Sequence, residues 1–163
     1  MVKLTPPMGW NSWNTFGANI NEALIKETAD AMVESGLLEK GYEYLVIDDC
    51  WSLKTRDENE RLVPDPEKFP NGMKAVADYV HSRGLKFGMY SCAGNLTCAG
   101  YPGSFEHEFI DAETFAEWGV DFLKYDYCYH SPIIHGRYLY RRMGLALENC
   151  GRDILFSACS WGS

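Results

Sequence analysis

The chain has 163 residues, 46% of them hydrophobic and 23% charged, which suits one folded domain with a sizeable core rather than a disordered or fibrous chain. The net charge is −8 and no run of lysine or arginine stands out, so neither a nucleic acid nor an anionic membrane is an expected partner. No apolar stretch approaches the roughly 20 residues of a membrane span, and the start, Met1 to Pro7, shows no apolar core of a secretory signal; a cytoplasmic location is the expectation.

In chain order, Met8-Gly9-Trp10 can serve as a short first strand. A first helix follows, with Leu24, Ile25, Thr28, Met32 and Val33 on one face, capping-box spacing at Asn19 and Glu22, and Gly36 to end it. The run from Gly41 to Asp48 reads as a buried strand. After a long loop region, 51–70, a second helix places Met73, Val76, Ala77 and Val80 together and stops at Gly84. A strand runs from Gly84 to Tyr90, and a second long loop region covers 91–110. The third helix is expected to begin at Asp111 as N-cap and carries Phe115, Ala116 and Trp118 up to Gly119. The strand from Gly119 to Asp126, a helix carrying Leu139, Met143, Ala146, Leu147 and Cys150, and a strand from Gly151 to Ser157 complete the chain.

The last four strands open alike: glycine, a variable residue, a charged residue, then an apolar run. Their glycines are 43, 35 and 32 residues apart. Such runs fit strands of a parallel sheet joined by helices, either open and doubly wound or closed as a barrel, and local pattern does not separate the two. A complete barrel needs eight strands and eight helices over about 250 residues. Five strands and four helices make this either a small open α/β domain or just over half a barrel.

In both architectures chemistry gathers beyond the carboxyl ends of the strands. Asp126 follows Lys124 by two residues, so both side chains point to one face of a strand. An ammonium there would hold the carboxylate ionised, as a nucleophile must be; an ordinary strand-end ion pair is the plainer reading. Asp48 and Asp49 can both reach one ligand only at a strand end or bulge. There they suit sugar hydroxyls, with a helix cap or a metal as alternatives. No histidine has metal-ligand spacing: His81, His107, His130 and His135 read as surface or packing residues, and no metal is expected. Trp10, Trp13, Trp51 and Trp161 lie near strand ends, where indoles stack on sugar rings or simply pack the core. The six cysteines lack CxxC spacing. No phosphate-binding glycine loop, dinucleotide fingerprint or serine-hydrolase elbow is present, so no cofactor is expected.

Together these residues are far more specific than any one of them. Pro6-Pro7-Met8-Gly9-Trp10-Asn11-Ser12-Trp13, Ile47-Asp48-Asp49-Cys50-Trp51 and Lys124-Tyr125-Asp126-Tyr127-Cys128 resemble the motifs of glycoside hydrolase family 27, the α-galactosidases and α-N-acetylgalactosaminidases. Phe69-Pro70-Asn71-Gly72-Met73, Gly84 to Tyr90 and Thr97 to Ser104 match further, and the resemblance runs over residues 4–162. It implies a truncated (β/α)8 TIM barrel of about five parallel strands and four helices. Residues 1–163 then form the N-terminal part of the catalytic domain, with the rest of the barrel and the C-terminal β-domain absent. It also implies a retaining mechanism.

Position by position, Asp126 matches the family nucleophile and Lys124 the lysine that contacts the sugar. Asp48 and Asp49 match the pair that binds the galactose 4- and 6-hydroxyls, Trp13 one wall of the pocket, and Tyr90 a tyrosine lining it. Cys98 and Cys128 match a disulfide at the site, expected under oxidising conditions. Cys50 is expected to be free, because the position of its partner in some members is Ala18. Ser160 stands where α-galactosidases have a glutamate for the sugar 2-hydroxyl; a small residue there resembles the N-acetylgalactosaminidases. The family acid/base aspartate follows a sixth strand, beyond Ser163. The resemblance thus implies galactose or an α-galactoside as ligand and weak or no hydrolysis by these residues alone. Self-association, most simply as a homodimer through the open barrel edges, is also expected. An α-N-acetylgalactosaminidase-like fragment and a non-catalytic galactose-binding or self-assembling half-barrel are the alternatives.

Overall fold

The computed structural model describes residues 5–162; Met1 to Leu4, the start of the segment read for a leader, and Ser163 lie outside them. Five strands carry the fold: β1 (Met8–Asn11), β2 (Tyr42–Val46), β3 (Lys86–Cys92), β4 (Phe122–Asp126) and β5 (Leu155–Ala158). Between them lie a short helix α1 (Trp13–Phe16), α2 (Glu22–Glu34), a 3₁₀ turn (Leu38–Lys40), α3 (Gly72–Ser82), α4 (Glu108–Trp118) and α5 (Gly136–Asn149). All four strand pairings are parallel. The order is β1-β2-β3-β4-β5, each strand adding beside the last. A doubly wound sheet reverses its order at a switch point; this one never does, which is the winding of a barrel.

The two faces of the sheet differ accordingly. Leu45, Ile47, Phe87, Met89, Leu123 and Tyr125 point outward and are fully buried under the helices. The alternate residues line the inner wall, where Tyr44, Phe122 and Lys124 remain partly exposed. That wall is mixed rather than apolar, since Asn11 and Lys124 share a hollow with Tyr44, Val46 and Phe122. Val46, Gly88 and Phe122 form one row across β2, β3 and β4. A Cβ on Gly88 would sit 2.7 Å from Val46 Cγ2 and 3.2 Å from Phe122, so only glycine lets the row close.

The helices bury the faces their periodicity requires: Met73, Val76, Ala77 and Val80 in α3, and Leu139, Met143, Ala146 and Leu147 in α5. Gly84 (φ 80°) and Gly119 (φ 85°) take the left-handed conformation that turns helix into strand. Two helix starts differ from the sequence reading. Helix α2 is capped by Asn21, not Asn19: Asn21 is extended and its side chain accepts from Leu24 N–H at 2.8 Å. Glu22 instead holds Lys26 and the side chain and N–H of Asn71. Helix α4 begins at Glu108, so Asp111 lies within its first turn rather than at its cap. It is fully buried and takes the fork of Arg56 at 2.7 and 2.8 Å.

At the amino ends of the strands, Asp121 accepts from Phe87 N–H (2.9 Å), from Arg152 (2.6 Å) and contacts His81 Nε2 (2.7 Å). Burial pushes the Asp121 carboxyl up, but these hydrogen bonds outweigh it and hold the group below its ordinary value. His81 is therefore more than a surface residue: it ties α3 to the start of β4.

Candidate active site

At the opposite end the chain leaves β2 at Val46 and turns through Cys50, whose φ is 72°. The strand alternation that would separate Asp48 from Asp49 no longer applies, and both acids are buried. Asp48 Oδ2 accepts from Lys124 Nζ (2.6 Å) and Asn11 Nδ2 (2.8 Å), while its N–H donates to Ser12 Oγ (2.9 Å). Asp49 accepts from the N–H groups of Cys50 (2.7 Å) and Ala99 (3.0 Å). Burial raises the Asp49 carboxyl above its usual value, against the hydrogen bonds from Ala99, Thr97 and Cys50; the neighbouring Asp48 adds to the rise.

Asp126 closes β4 and is 8% exposed. Its Oδ2 accepts from the Tyr90 hydroxyl at 2.9 Å, and its Oδ1 from Tyr127 N–H (2.8 Å) and Trp161 Nε1 (3.0 Å). The donors come from β3, the turn directly after β4 and the turn after β5, so three segments aim one carboxylate. Burial, with Asp49 and Asp126 nearby, lifts the Tyr90 phenol far above its ordinary range, so it stays protonated and donates.

The lysine is placed differently from the expectation. Lys124 forms its ion pair with Asp48, not with Asp126. Residues two apart on a strand are about 6.6 Å apart along it, whereas Asp48 faces Lys124 across the inner wall. Lys124 Nζ also lies 5.3 Å from the centre of the Tyr90 ring. The site is thus a chain of contacts from Asp48 through Lys124 and Tyr90 to Asp126.

The tryptophans divide. Trp51 is a core residue whose indole donates to Tyr90 O at 3.0 Å and meets Phe115 and Trp118 edge-on. Trp10 packs beside Phe16 against the core. Trp13 is 41% exposed at the start of α1, with its N–H on Asn11 Oδ1. Ser160 follows β5 and is half-buried. Trp161, beside it, is exposed and reaches Asp126, a partner that strand-end position alone did not reveal. Asn11 and Ser12 also emerge as holders of Asp48; their signals were their place in the first motif and at the end of the first strand.

Cys98 and Cys128 are joined in a disulfide, Cα to Cα 5.1 Å, tying the loop after β3 to the loop after β4. Gly94 brings the same loops together: a Cβ there would lie 2.0 Å from Cys128 O. Cys50 is buried and forms no disulfide. Among the described residues, an Asp126 carboxylate oxygen lies within 4.8 Å of both sulfurs, which as a disulfide offer no thiolate to a metal ion. No described helix is long and apolar enough to cross a membrane.

The chain is similar to known proteins over nearly its whole length. The chain is 57% identical over 159 residues to an α-galactosidase of Cyamopsis tetragonoloba, covering 97% of this chain and 38% of that protein. It is 55% identical over 158 residues to α-galactosidase A of Cellvibrio japonicus, covering 97% and 39%. Among solved structures, α-galactosidase I from Mortierella vinacea superposes with a TM-score of 0.96 at 47% identity, covering 98% of this chain and 41% of that one. The α-galactosidase of Saccharomyces cerevisiae with raffinose gives 0.96 at 46%, covering 99% and 36%. The chain therefore spans less than half the length of these relatives. The model of the family described as alpha galactosidase A matches residues 5–163, and the chain belongs to that family.

Proposed function

We propose that this chain carries the nucleophile side of a retaining α-galactosidase site. Asp126 attacks the anomeric carbon of a terminal α-galactoside, forming a glycosyl-enzyme that water then hydrolyses. The observation that carries the reading is the gathering of Asp126, Asp48, Asp49, Lys124 and Tyr90 at one end of the sheet, with three donors fixing the Asp126 carboxylate. A nucleophile held in one orientation loses little freedom on reaching the reacting carbon. Asp48 and Asp49 keep lone pairs for sugar hydroxyls, and Trp13 offers an exposed indole face as a wall. The α-galactosidase relatives and the raffinose-bound yeast structure support this substrate class.

A second carboxyl must protonate the leaving oxygen. The oxygens of Asp48 and Asp49 are already engaged by Lys124, Asn11 and backbone N–H groups, so neither is assigned that role. We assign it to a part of the barrel outside these 163 residues. The chain alone should then hydrolyse ordinary α-galactosides about 10²–10⁴-fold more slowly than a complete enzyme, and lose less on nitrophenyl galactosides. The test is a nitrophenyl α-galactoside assay on wild type and Asp126→Ala. Turnover present in wild type and abolished in the variant is expected; equal rates would refute the assignment. Galactose binding that survives Asp126→Asn with no turnover in wild type would favour a non-catalytic binding module. The outer edges of β1 and β5 carry no strand partner in this sheet, and we propose that the chain self-associates through them. Light scattering at micromolar concentration should show a dimer, and a clean monomer would refute it.

A further inference from the structure

We propose that Thr97 is a positioning residue for Asp49: its buried hydroxyl, with the N–H of Ala99, aims the carboxylate that takes a sugar hydroxyl. The sugar part of this inference rests on the reading of Asp48 and Asp49 given above; the hold on Asp49 does not. The two acids are supported differently. Asp48 is held by a cation, Lys124, and by Asn11. Asp49 is held by neutral donors: the N–H of its neighbour Cys50, the N–H of Ala99 fifty positions away, and the hydroxyl of Thr97. The Cys50 bond turns with the turn itself, so the aim of Asp49 against the rest of the site comes from the loop between β3 and α4.

That loop is built to hold one hydroxyl still. Thr97 is 4% exposed, so water does not compete for it. Its Oγ1 accepts from Tyr101 N–H at 3.1 Å, which leaves its own proton to donate to Asp49. Thr97 N–H donates to Tyr101 O (2.8 Å), Gly100 N–H to Thr97 O (2.9 Å), and Leu96 bridges to Pro102. Cys98, between the two donors, is bonded to Cys128, and Lys54 Nζ lies 5.3 Å from the centre of the Tyr101 ring. A carboxylate gripped on one side by a rigid loop keeps its remaining lone pairs pointed at a ligand. The titratable groups facing Asp49 are Asp48, Cys50, Tyr90, Cys92 and Tyr101. Burial lifts both thiols and both phenols above their ordinary values, so they stay neutral while carboxylates titrate.

Carboxyl ¹³C NMR titration of the whole chain tests the hold directly, with the Asp49 signal assigned by its loss in Asp49→Asn. Galactose affinity, followed by NMR titration at pH 7, tests its use. Thr97→Val keeps the shape and removes a donor to the charged form, so the Asp49 titration should move to higher pH and galactose should bind about tenfold more weakly. Thr97→Ser should restore both. An unmoved titration in Thr97→Val would overturn the proposal, as would Thr97→Ser behaving like Thr97→Val, since packing of the methyl would then be what matters. In wild type, with no variant needed, the Ala99 amide resonance should shift with the Asp49 midpoint; a flat Ala99 amide would overturn the loop's grip. A moved titration in a chain whose wild type binds no galactose would uphold the hold of Thr97 on Asp49 and refute the sugar reading instead.

Discussion

Replacing Arg56 by alanine would strip the partner from a carboxylate with no access to water. Asp111 is 0% exposed in its side chain and Arg56 only 9%, and the two meet through paired hydrogen bonds of 2.7 and 2.8 Å. The guanidinium also donates to Gly103 O and Glu60 O, both at 2.7 Å. One side chain of the loop before α3 thereby grips α4 and the loop between β3 and α4 that carries Cys98. Breaking a buried ion pair by removing one member costs about 3–5 kcal/mol, because the remaining charge is left unpaired. Against a total of about 5–15 kcal/mol for a typical domain, Arg56→Ala should remove a large part of the stability. Urea unfolding followed by circular dichroism, at constant protein concentration, measures it. The double variant Arg56→Met, Asp111→Leu leaves no orphan charge and should cost much less than either single change. A loss below about 1 kcal/mol for Arg56→Ala, or a double variant as unstable as the sum of the singles, would refute the reasoning.

Three further outcomes follow from the same geometry. The Asp121 carboxyl sits below its ordinary value in the folded chain, so its contribution is present above the unfolded carboxylate pKa of about 3.9 and is lost as pH falls through the lower folded value. Asp121→Asn should therefore destabilise at pH 7 by about 2 kcal/mol, and the gap to wild type should close on acidification; a pH-independent gap would contradict this. Gly94→Ala forces a Cβ to 2.0 Å from Cys128 O, and should cost about 1–3 kcal/mol in urea midpoint analysis by spreading the loops after β3 and β4. Ser160→Glu restores the acidic residue that the sequence resemblance assigns to the 2-hydroxyl. It should shift preference from nitrophenyl α-N-acetylgalactosaminide toward nitrophenyl α-galactoside, read as the ratio of kcat/KM.

Strand ends were legible because each of the last four strands is an apolar run fixed between a glycine and polar residues; these strands, the short first one and the buried faces of α3 and α5 fall where the pattern puts them. Whether the sheet winds open or closed was not legible in the local pattern, because alternating strands and helices look the same in both; the family resemblance supplied the barrel, and the strand order bears it out. The helix starts failed where two residues compete for a cap. Asn19 and Asn21 are equally good caps by type, and Asp111 reads as a cap until Arg56, 55 positions away, claims it. The ion-pair partner of Lys124 was missed for a related reason. Alternation along a strand gives the face a side chain occupies, but not which residue of the next strand meets it there, and Asp48 is 76 positions distant. Trp51 and Trp161 show the limit for aromatics: both lie near strand ends, yet one packs the core and the other holds a carboxylate.

The most direct measurement is covalent trapping. The chain is incubated with a fluorinated α-galactosyl fluoride, whose fluoride leaving group needs little acid and whose second fluorine slows release of the sugar, and the labelled peptide is found by mass spectrometry. The added galactosyl mass should appear on Asp126 and vanish in Asp126→Asn. A sugar attached to Asp48 or Asp49 instead, or wild-type protein that takes up no label, would contradict the assignment of Asp126 as the attacking carboxylate.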